Sequence, residues 1–320
     1  MHTHRVTRDQ ADTALGSFVR TALGVPWSTA KKLVFEGRVT INGAPVLDPG
    51  TRLVRGSTVE INPEGPARRN GAGAVVLDRS QLLHIDPHLV VVNKPPGINA
   101  VAFEPGERDT LVDRLGVALH RWNLAPATAP LFVVHRLDRD TTGVMVYGRT
   151  WVAKRHLAGH FRRHDIEREY VALVHGFLLD ERSVDTVILD DRGDGIRGSA
   201  RGRVADHVGR RAVTHLRPLV QLTADGAEAT LVSCRLETGR QHQIRVHLSE
   251  IGHPLVGERV YIRGYAGQRL DAPRVMLHAR ALGFPHPTRP EGVALRFEAP
   301  VPEDFMAVAR ALGLVGEVPR

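Results

Sequence analysis

The stretch His135-Arg136-Leu137-Asp138-Arg139-Asp140-Thr141-Thr142-Gly143 lies between two apolar runs, Leu131-Phe132-Val133-Val134 and Val144-Met145-Val146-Tyr147. Short apolar runs rich in β-branched residues read as buried strands. The segment is thus two strands joined by a charged loop that ends on glycine. A carboxylate buried among arginines must be paired to offset its desolvation. Taken alone, the loop is either a structural ion-pair knot or a site. Further strands are expected at 82–85, 89–92, 170–174, 213–216, 229–236 and 243–248, with helices at 111–122 and 151–164. Strands outnumber helices and rarely alternate with them. The expected class is therefore α+β with a mainly antiparallel mixed sheet, not a doubly wound one.

Upstream the texture differs. Leu15, Phe18, Val19, Ala22 and Leu23 recur at helical spacing over 12–23. Ser28 is an expected N-cap for a second helix through Ala30, Leu33 and Val34, which Gly37 stops. Val39-Thr40-Ile41 alternates as a strand, Asn42-Gly43 is a strong hairpin signal, and 58–61 supplies another strand. Residues 63–74, PEGPARRNGAGA, have no periodicity and read as a linker. The expected organisation is a small module at 1–62, a linker at 63–74 and a larger domain at 75–320. A Gly-, Arg- and Asp-rich stretch at 190–209 reads as an irregular loop or hairpin.

Composition narrows the classes. Of 320 residues, 42% are hydrophobic and 24% charged, which excludes a mainly disordered or fibrous chain. The longest apolar runs are strand-sized, too short for a membrane helix. The N-terminus lacks a secretory layout, so a cytoplasmic protein without membrane contact is expected. Cys234 is the single cysteine, which excludes an intrachain disulfide and a Cys-rich zinc site. It falls in an alternating strand and reads as a structural thiol. The net charge is +8. Residues 1–70 carry 10 Lys/Arg against 6 Asp/Glu, so about a fifth of the chain holds half of the excess. An anionic partner is expected, nucleic acid first.

Nucleotide-binding glycine motifs, a nucleophile elbow and His-Glu-x-x-His are all absent. His156, His160 and His164 share a helical face, but Lys154, Arg155, Arg162 and Arg163 surround them, so a basic face is expected rather than a metal site. A second polar cluster, Thr238-Gly239-Arg240-Gln241-His242-Gln243-Ile244-Arg245-Val246-His247, is rich in hydrogen-bond donors suited to an anionic backbone or a base edge.

Together these two clusters resemble the RluA family of RNA pseudouridine synthases. His135 to Gly143 matches the family's His-Arg-Leu-Asp-Arg-x-Thr-Ser-Gly hallmark, with Thr142 in the serine place. Other matches follow in family order: 91–97, 168–174, 212–215, 239–248 with 252–257, 277–279 and 284–287. Departures are few: Val144-Met145-Val146 is less leucine-rich than the family strand, and 98–103 lacks an expected His-Pro. The stretch Lys31 to Gly43 is similar to a small RNA-binding domain first described in a ribosomal small-subunit protein.

The resemblance implies conversion of uridine to pseudouridine in structured RNA, with neither cofactor nor metal; a monomer is expected. It makes Asp138 the catalytic carboxylate and Arg245 its cationic partner, and it lays Tyr170 against the target base. Whether Asp138 attacks the ribose or the base, or supports a glycal route, stays open. A base inside a helix must be flipped out, and Arg136 is placed to fill the vacated space or to grip phosphate. Lys31, Lys32, Arg38, Arg240 and His242 are the expected RNA contacts, and Lys94 is expected to be structural. Large-subunit ribosomal RNA is the favoured substrate because of the N-terminal module, with transfer RNA second. Two other readings are a non-catalytic RNA-binding or ribosome-assembly protein and a carboxylate glycosidase. The glycosidase needs a second acid paired with Asp138.

Overall fold

The structure, a computed structural model, describes residues 1–46, 48–65, 76–102, 109–191, 196–200, 209–289 and 294–319. The chain divides into two compact units. One comprises Met1–Ala74 with Ile188–Gly209 and Arg259–Tyr265; the other comprises Val75–Val187, Arg210–Glu258 and Ala266–Arg320.

In the first unit β1 (His2–Arg5), β2 (Val39–Ile41), β3 (Ala44–Pro45) and β4 (Thr58–Ile61) form an antiparallel sheet in the order β1-β4-β2-β3. Helices α1 (Leu15–Leu23) and α2 (Trp27–Phe35) bury Leu15, Phe18, Val19, Ala30, Leu33 and Val34 against Val39, Val59 and Ile61. The Asn42-Gly43 turn takes positive φ at both residues, as a two-residue hairpin requires. Helix α2 begins earlier than its Ser28 cap predicts: Pro26 is the N-cap, and its fixed φ starts the helix at Trp27. Strand β1 carries polar residues that give no alternation to read. Of the expected 63–74 linker, residues 66–74 lie outside the described residues, as do 192–195 and 201–208 of the 190–209 stretch.

The second unit is built on β5 (Leu82–Ile85), β6 (Leu89–Lys94), β7 (Phe132–Val133), β8 (Thr142–Gly148), β9 (Glu167–His175) and β10 (Arg182–Leu189). After the short β11 (Gly198–Ser199), which pairs with Ile188 and Leu189, come β12 (Arg210–Ala224), β13 (Ala227–Leu236), β14 (Leu277–Pro285) and β15 (Ala294–Glu298). The sheet runs β10-β12-β13-β9-β14-β8-β6-β5, with β15 on β14 and β7 on β8. The β14–β8 pairing is parallel. The pairings β5–β6, β6–β8, β7–β8, β9–β13, β9–β14, β12–β13 and β14–β15 are antiparallel, so the α+β, mainly antiparallel class holds.

Helix α3 (Leu111–Arg121) covers Val90, Val92, Met145 and Tyr147, and α4 (Trp151–Arg163) covers Val91, Val144 and Val146 with Ala153 and Leu157. Every residue of β8 is buried, which explains a continuous apolar run instead of alternation.

One expected strand is a helix. Residues 243–248 lie in α5 (Gln243–Glu250). Gln-Ile-Arg-Val-His-Leu alternates polar and apolar, the period of a half-buried strand. In the structure all six residues are buried, so polarity no longer marks the solvent side and the alternation carries no information. The polar members are satisfied internally: Gln243 Nε2 donates to Val213 O at 2.9 Å and Thr214 Oγ1 at 3.0 Å. His247 sits between Thr214 and Thr186, 2.9 Å from each hydroxyl. Near the C-terminus, α6 (Glu303–Ala311) packs Phe305, Met306 and Ala309 over Val171, Leu173 and Leu231. Among the described residues no helix is long and apolar enough to cross a membrane.

Candidate active site

The loop between β7 and β8 is held from below by Lys94 at the end of β6. This side chain is 1% exposed, and its Nζ donates to the carbonyls of Pro95 (3.1 Å), Arg139 (2.7 Å) and Thr141 (2.9 Å). Burial pushes the ammonium down to about 7, against the pull of the Asp140 and Asp138 charges. Gly97 N–H adds a further tie, donating to the Arg139 carbonyl at 3.1 Å. At the far end Gly143 has φ +116°, and a Cβ there would lie 2.1 Å from the Ala279 carbonyl oxygen. Only glycine admits this close β8–β14 approach. His135 is a structural neutral ring: Val146 N–H donates to its Nε2 at 3.0 Å, Phe161 stacks on it at 4.7 Å, and burial pushes its pKa down to about 3.

Thus supported, Asp138 presents a carboxylate that is 18% exposed. Oδ2 lies 3.7 Å from Arg245 Nη1, and Oδ1 lies 3.8 Å from His242 Nε2. Both are longer than hydrogen bonds, and only the Arg245 contact is between fixed charges. Both partners come from the start of α5. His242 takes a left-handed conformation as its N-cap, φ 59°. Gln243 Oε1 ties the preceding turn by accepting from Thr238 Oγ1 (2.7 Å) and Arg240 N–H (3.0 Å).

Arg245 is 7% exposed, and its tight partner is not Asp138. Nε and Nη2 donate to the two carboxylate oxygens of Glu258 at 2.8 Å each, a bidentate fork on a side chain with 0% exposure. Glu258 thereby fixes the guanidinium plane and leaves Nη1 for Asp138. The sequence motifs end at Gly257 and do not reach this acid. The available signal was a carboxylate close behind the apolar Pro254-Leu255-Val256, where burial demands a cation. Gly257 is required as well, since a Cβ would sit 1.9 Å from the Arg274 carbonyl oxygen.

Tyr170 lies on β9, paired with Cys234 of β13 and Ala279 of β14. Burial pushes its phenol up to about 12, with Arg168 lowering it and Asp138 adding to the rise. It is therefore a neutral phenol at ordinary pH. Arg136 is exposed on the same loop as Asp138. Arg240 is half-buried and donates from Nε to the Arg211 carbonyl at 3.0 Å. Asp138, Arg245, His242 and Tyr170 therefore converge on one place. Asp140, the acid nearest to Asp138 along the chain, is exposed, and its backbone carbonyl accepts from Arg274 Nη1 at 3.2 Å.

Lys31, Lys32 and Arg38 lie in the other unit. Lys31 sits 5.0 Å over the Trp27 ring, Lys32 is 3.9 Å from Glu36, and Arg38 is 2.8 Å from Glu36 and also donates to the Pro63 carbonyl. Cys234 is fully buried, which pushes its thiol well above the usual range. His156 lies 3.2 Å from the Pro285 carbonyl and His160 lies 2.9 Å from Asp165. Among the described residues no group of three His, Cys, Asp or Glu is arranged to hold a metal ion.

Residues 88–250 match the family model described as RNA pseudouridylate synthase, and residues 17–59 match the S4 domain. The chain is 34% identical over 291 residues to the ribosomal large subunit pseudouridine synthase D of Zymomonas mobilis, covering 88% of each chain. It is 35% identical over 283 residues to the protein of that name from Pseudomonas aeruginosa, covering 85% of this chain and 82% of that one. The fold is shared with human RNA pseudouridylate synthase domain containing 4, at a TM-score of 0.59 and 24% identity over 74% of this chain and 95% of that one. The chain belongs to the RNA pseudouridylate synthase family and is an RNA pseudouridine synthase.

Proposed function

We propose that this enzyme isomerises uridines in large-subunit ribosomal RNA, with Asp138 as the reacting carboxylate, in the cytoplasm and as a monomer. The observation that carries the site is one partly exposed carboxylate facing the Arg245 guanidinium of α5 and the His242 imidazole at its N-cap, with a neutral phenol nearby. The substrate rests on the relatives named above. In the reaction the bond from N1 of the base to the ribose breaks and a bond from C5 to the ribose forms. The C5 proton leaves and N1 takes one up, so atoms balance without a redox partner. A carboxylate that takes the bond transiently divides one hard step into two.

Arg245 holds Asp138 in place and offsets its charge. Tyr170 supplies a flat apolar surface with a hydrogen-bonding tip for the base. The target base leaves the helix to reach this pocket, with Arg136 at the vacated position. His242 and Arg240 line the approach. Residues 1–62, joined through 63–74 to a catalytic domain at 75–320, add affinity through Lys31, Lys32 and Arg38.

Tritium release from large-subunit ribosomal RNA labelled at uridine C5 tests the reading. Wild type should release tritium and Asp138→Asn should not. Release from transfer RNA alone would move the substrate, and no release from either RNA would end the assignment. Pseudouridine mapping in a deletion strain identifies the positions.

A further inference from the structure

Arg168 is the second residue of β9, two before Tyr170 and on the same face of the sheet. It is 6% exposed, as deeply buried as Arg245. Yet among the described residues no carboxylate pairs with it. Nη2 donates to the Glu237 carbonyl at 2.6 Å, the guanidinium carbon lies 5.9 Å over the Phe161 ring, and Nε finds no acceptor. A buried guanidinium held by one neutral carbonyl is an unfavourable arrangement, since desolvation of a charge needs an opposite charge to offset it.

Its neighbours deepen the imbalance. Arg168 and Arg240 repel one another, and both disfavour a proton on His164 at the C-terminal end of α4. Arg210 presses in turn on Arg240. The nearby acids are engaged elsewhere: Glu237 lies 2.7 Å from His215, and Asp165 lies 2.9 Å from His160. Directly above Arg168 is Gly239, an exposed residue without a side chain; a Cβ there would lie 2.6 Å from Nη1. The guanidinium is thus covered by bare backbone, in the same turn that carries Arg240 and the Asp138-facing His242.

We propose that Arg168, with Arg240 beside it, seats one backbone phosphate of the RNA strand that enters the pocket. The phosphate supplies the anion the fold leaves out, and its fork-shaped partner fixes the strand's register relative to Tyr170. The proposal rests on the RNA reading above and adds a specific anchoring contact to it. A buried arginine already paired with a buried acid has little to gain from a phosphate, so the missing acid is what makes this one available.

The test is a methylphosphonate scan on an RNA hairpin that the wild-type protein binds. Each phosphate in turn is replaced by the uncharged methylphosphonate, and affinity is measured for wild type, Arg168→Met and Arg168→Lys. Loss of one charge-assisted contact should weaken Arg168→Met by about tenfold or more and flatten its salt dependence by roughly 0.7 to 0.9 in log–log slope. One methylphosphonate position should weaken wild type and be silent in Arg168→Met. Arg168→Lys keeps the charge without the fork and should retain part of the effect at that same position. If Arg168→Met does not fold, the position silenced or weakened in Arg168→Lys decides. A scan in which neither variant changes the effect of any position overturns the proposal. The scan reads binding alone, so a wild type that binds RNA but releases no tritium breaks the enzymatic reading and not this one.

Discussion

Arg245 and Arg168 are equally buried, at 7% and 6%, but their surroundings are opposite. Arg245 is clamped by Glu258 through two 2.8 Å bonds and offers its remaining nitrogen to Asp138. Arg168 has a carbonyl, an aromatic face and a cationic neighbour, Arg240. Lys94 is intermediate: its one ammonium is held by three carbonyls, and the charges of Asp140 and Asp138 act on it from further away. A cation paired inside the protein is a positioning device. A cation left without an acid is a demand that only a ligand meets. The same desolvation cost is offset in the folded chain in one case and on binding in the other.

The largest expected effect removes the carboxylate that Arg245 faces. Asp138→Asn should lower tritium release by about a thousandfold or more, as loss of a nucleophile does, while RNA affinity stays close to wild type. Activity within tenfold of wild type would break the site assignment.

Glu258→Gln converts Arg245 into a second cation without an acid clamp. Turnover should fall by about a hundredfold with little change in KM, and Tm should drop because a broken buried pair leaves its partner charge uncompensated. Glu258→Asp should recover part of the turnover. Equal losses in both variants, seen in Tm alone, would make Glu258 purely structural. Lys94→Met removes the donor shared by three carbonyls under the loop, of which Arg139 keeps the Gly97 N–H. About a tenfold loss of turnover is expected, together with a lower Tm; an unchanged rate would show that the loop holds without its ammonium.

Acid should probe the neutral buried rings. His247 and His278 are both 0% exposed, and burial pushes each down to about 4. The unfolded rings titrate near the ordinary value of 6.5, so the unfolded state takes up protons first as pH falls. Stability from each ring is therefore full above 6.5 and lost between 6.5 and about 4, on the order of 1–2 kcal/mol per ring by pH 5. Tm measured across that window should fall, and less so in His278→Asn. The smallest effect belongs to the N-terminal unit. Lys31 and Lys32 are not clamped as Arg38 is, so Lys31→Ala with Lys32→Ala should reduce the salt slope of binding by about 1 to 2. An unchanged slope would remove both from the RNA contact set.

Much of the site is legible along the chain. The hallmark around Asp138 sits between a half-buried apolar run at 131–134 and the fully buried β8, and Gly143 closes it where the backbone of β14 comes close. The two-helix, hairpin, strand pattern is legible in the sequence, whereas the compact unit that holds it also takes in Ile188–Gly209 and Arg259–Tyr265. Arg245 and Tyr170 follow from matching motifs, and the fold brings them to the same pocket as Asp138. What escapes is pairing. Glu258 is 13 residues from Arg245 along the chain, and nothing local ties them.

Local pattern by itself located β2, β4, β5 and β6 and the interiors of β8, β9, β12 and β13, together with the charged loop and the Asn42-Gly43 turn, because those depend on neighbours along the chain; it did not mark β1, β10, β14 or β15 as strands. The tertiary structure alone decided that Gln243 to Leu248 is a helix, since burial on every side erases the polar face that a periodicity argument needs. It alone decided that Arg245 has an acid and Arg168 has none among the described residues. An arginine reads the same in either setting; whether its charge is already offset depends on what distant segments bring within about 4 Å, where the Coulomb interaction in a low-dielectric interior becomes large.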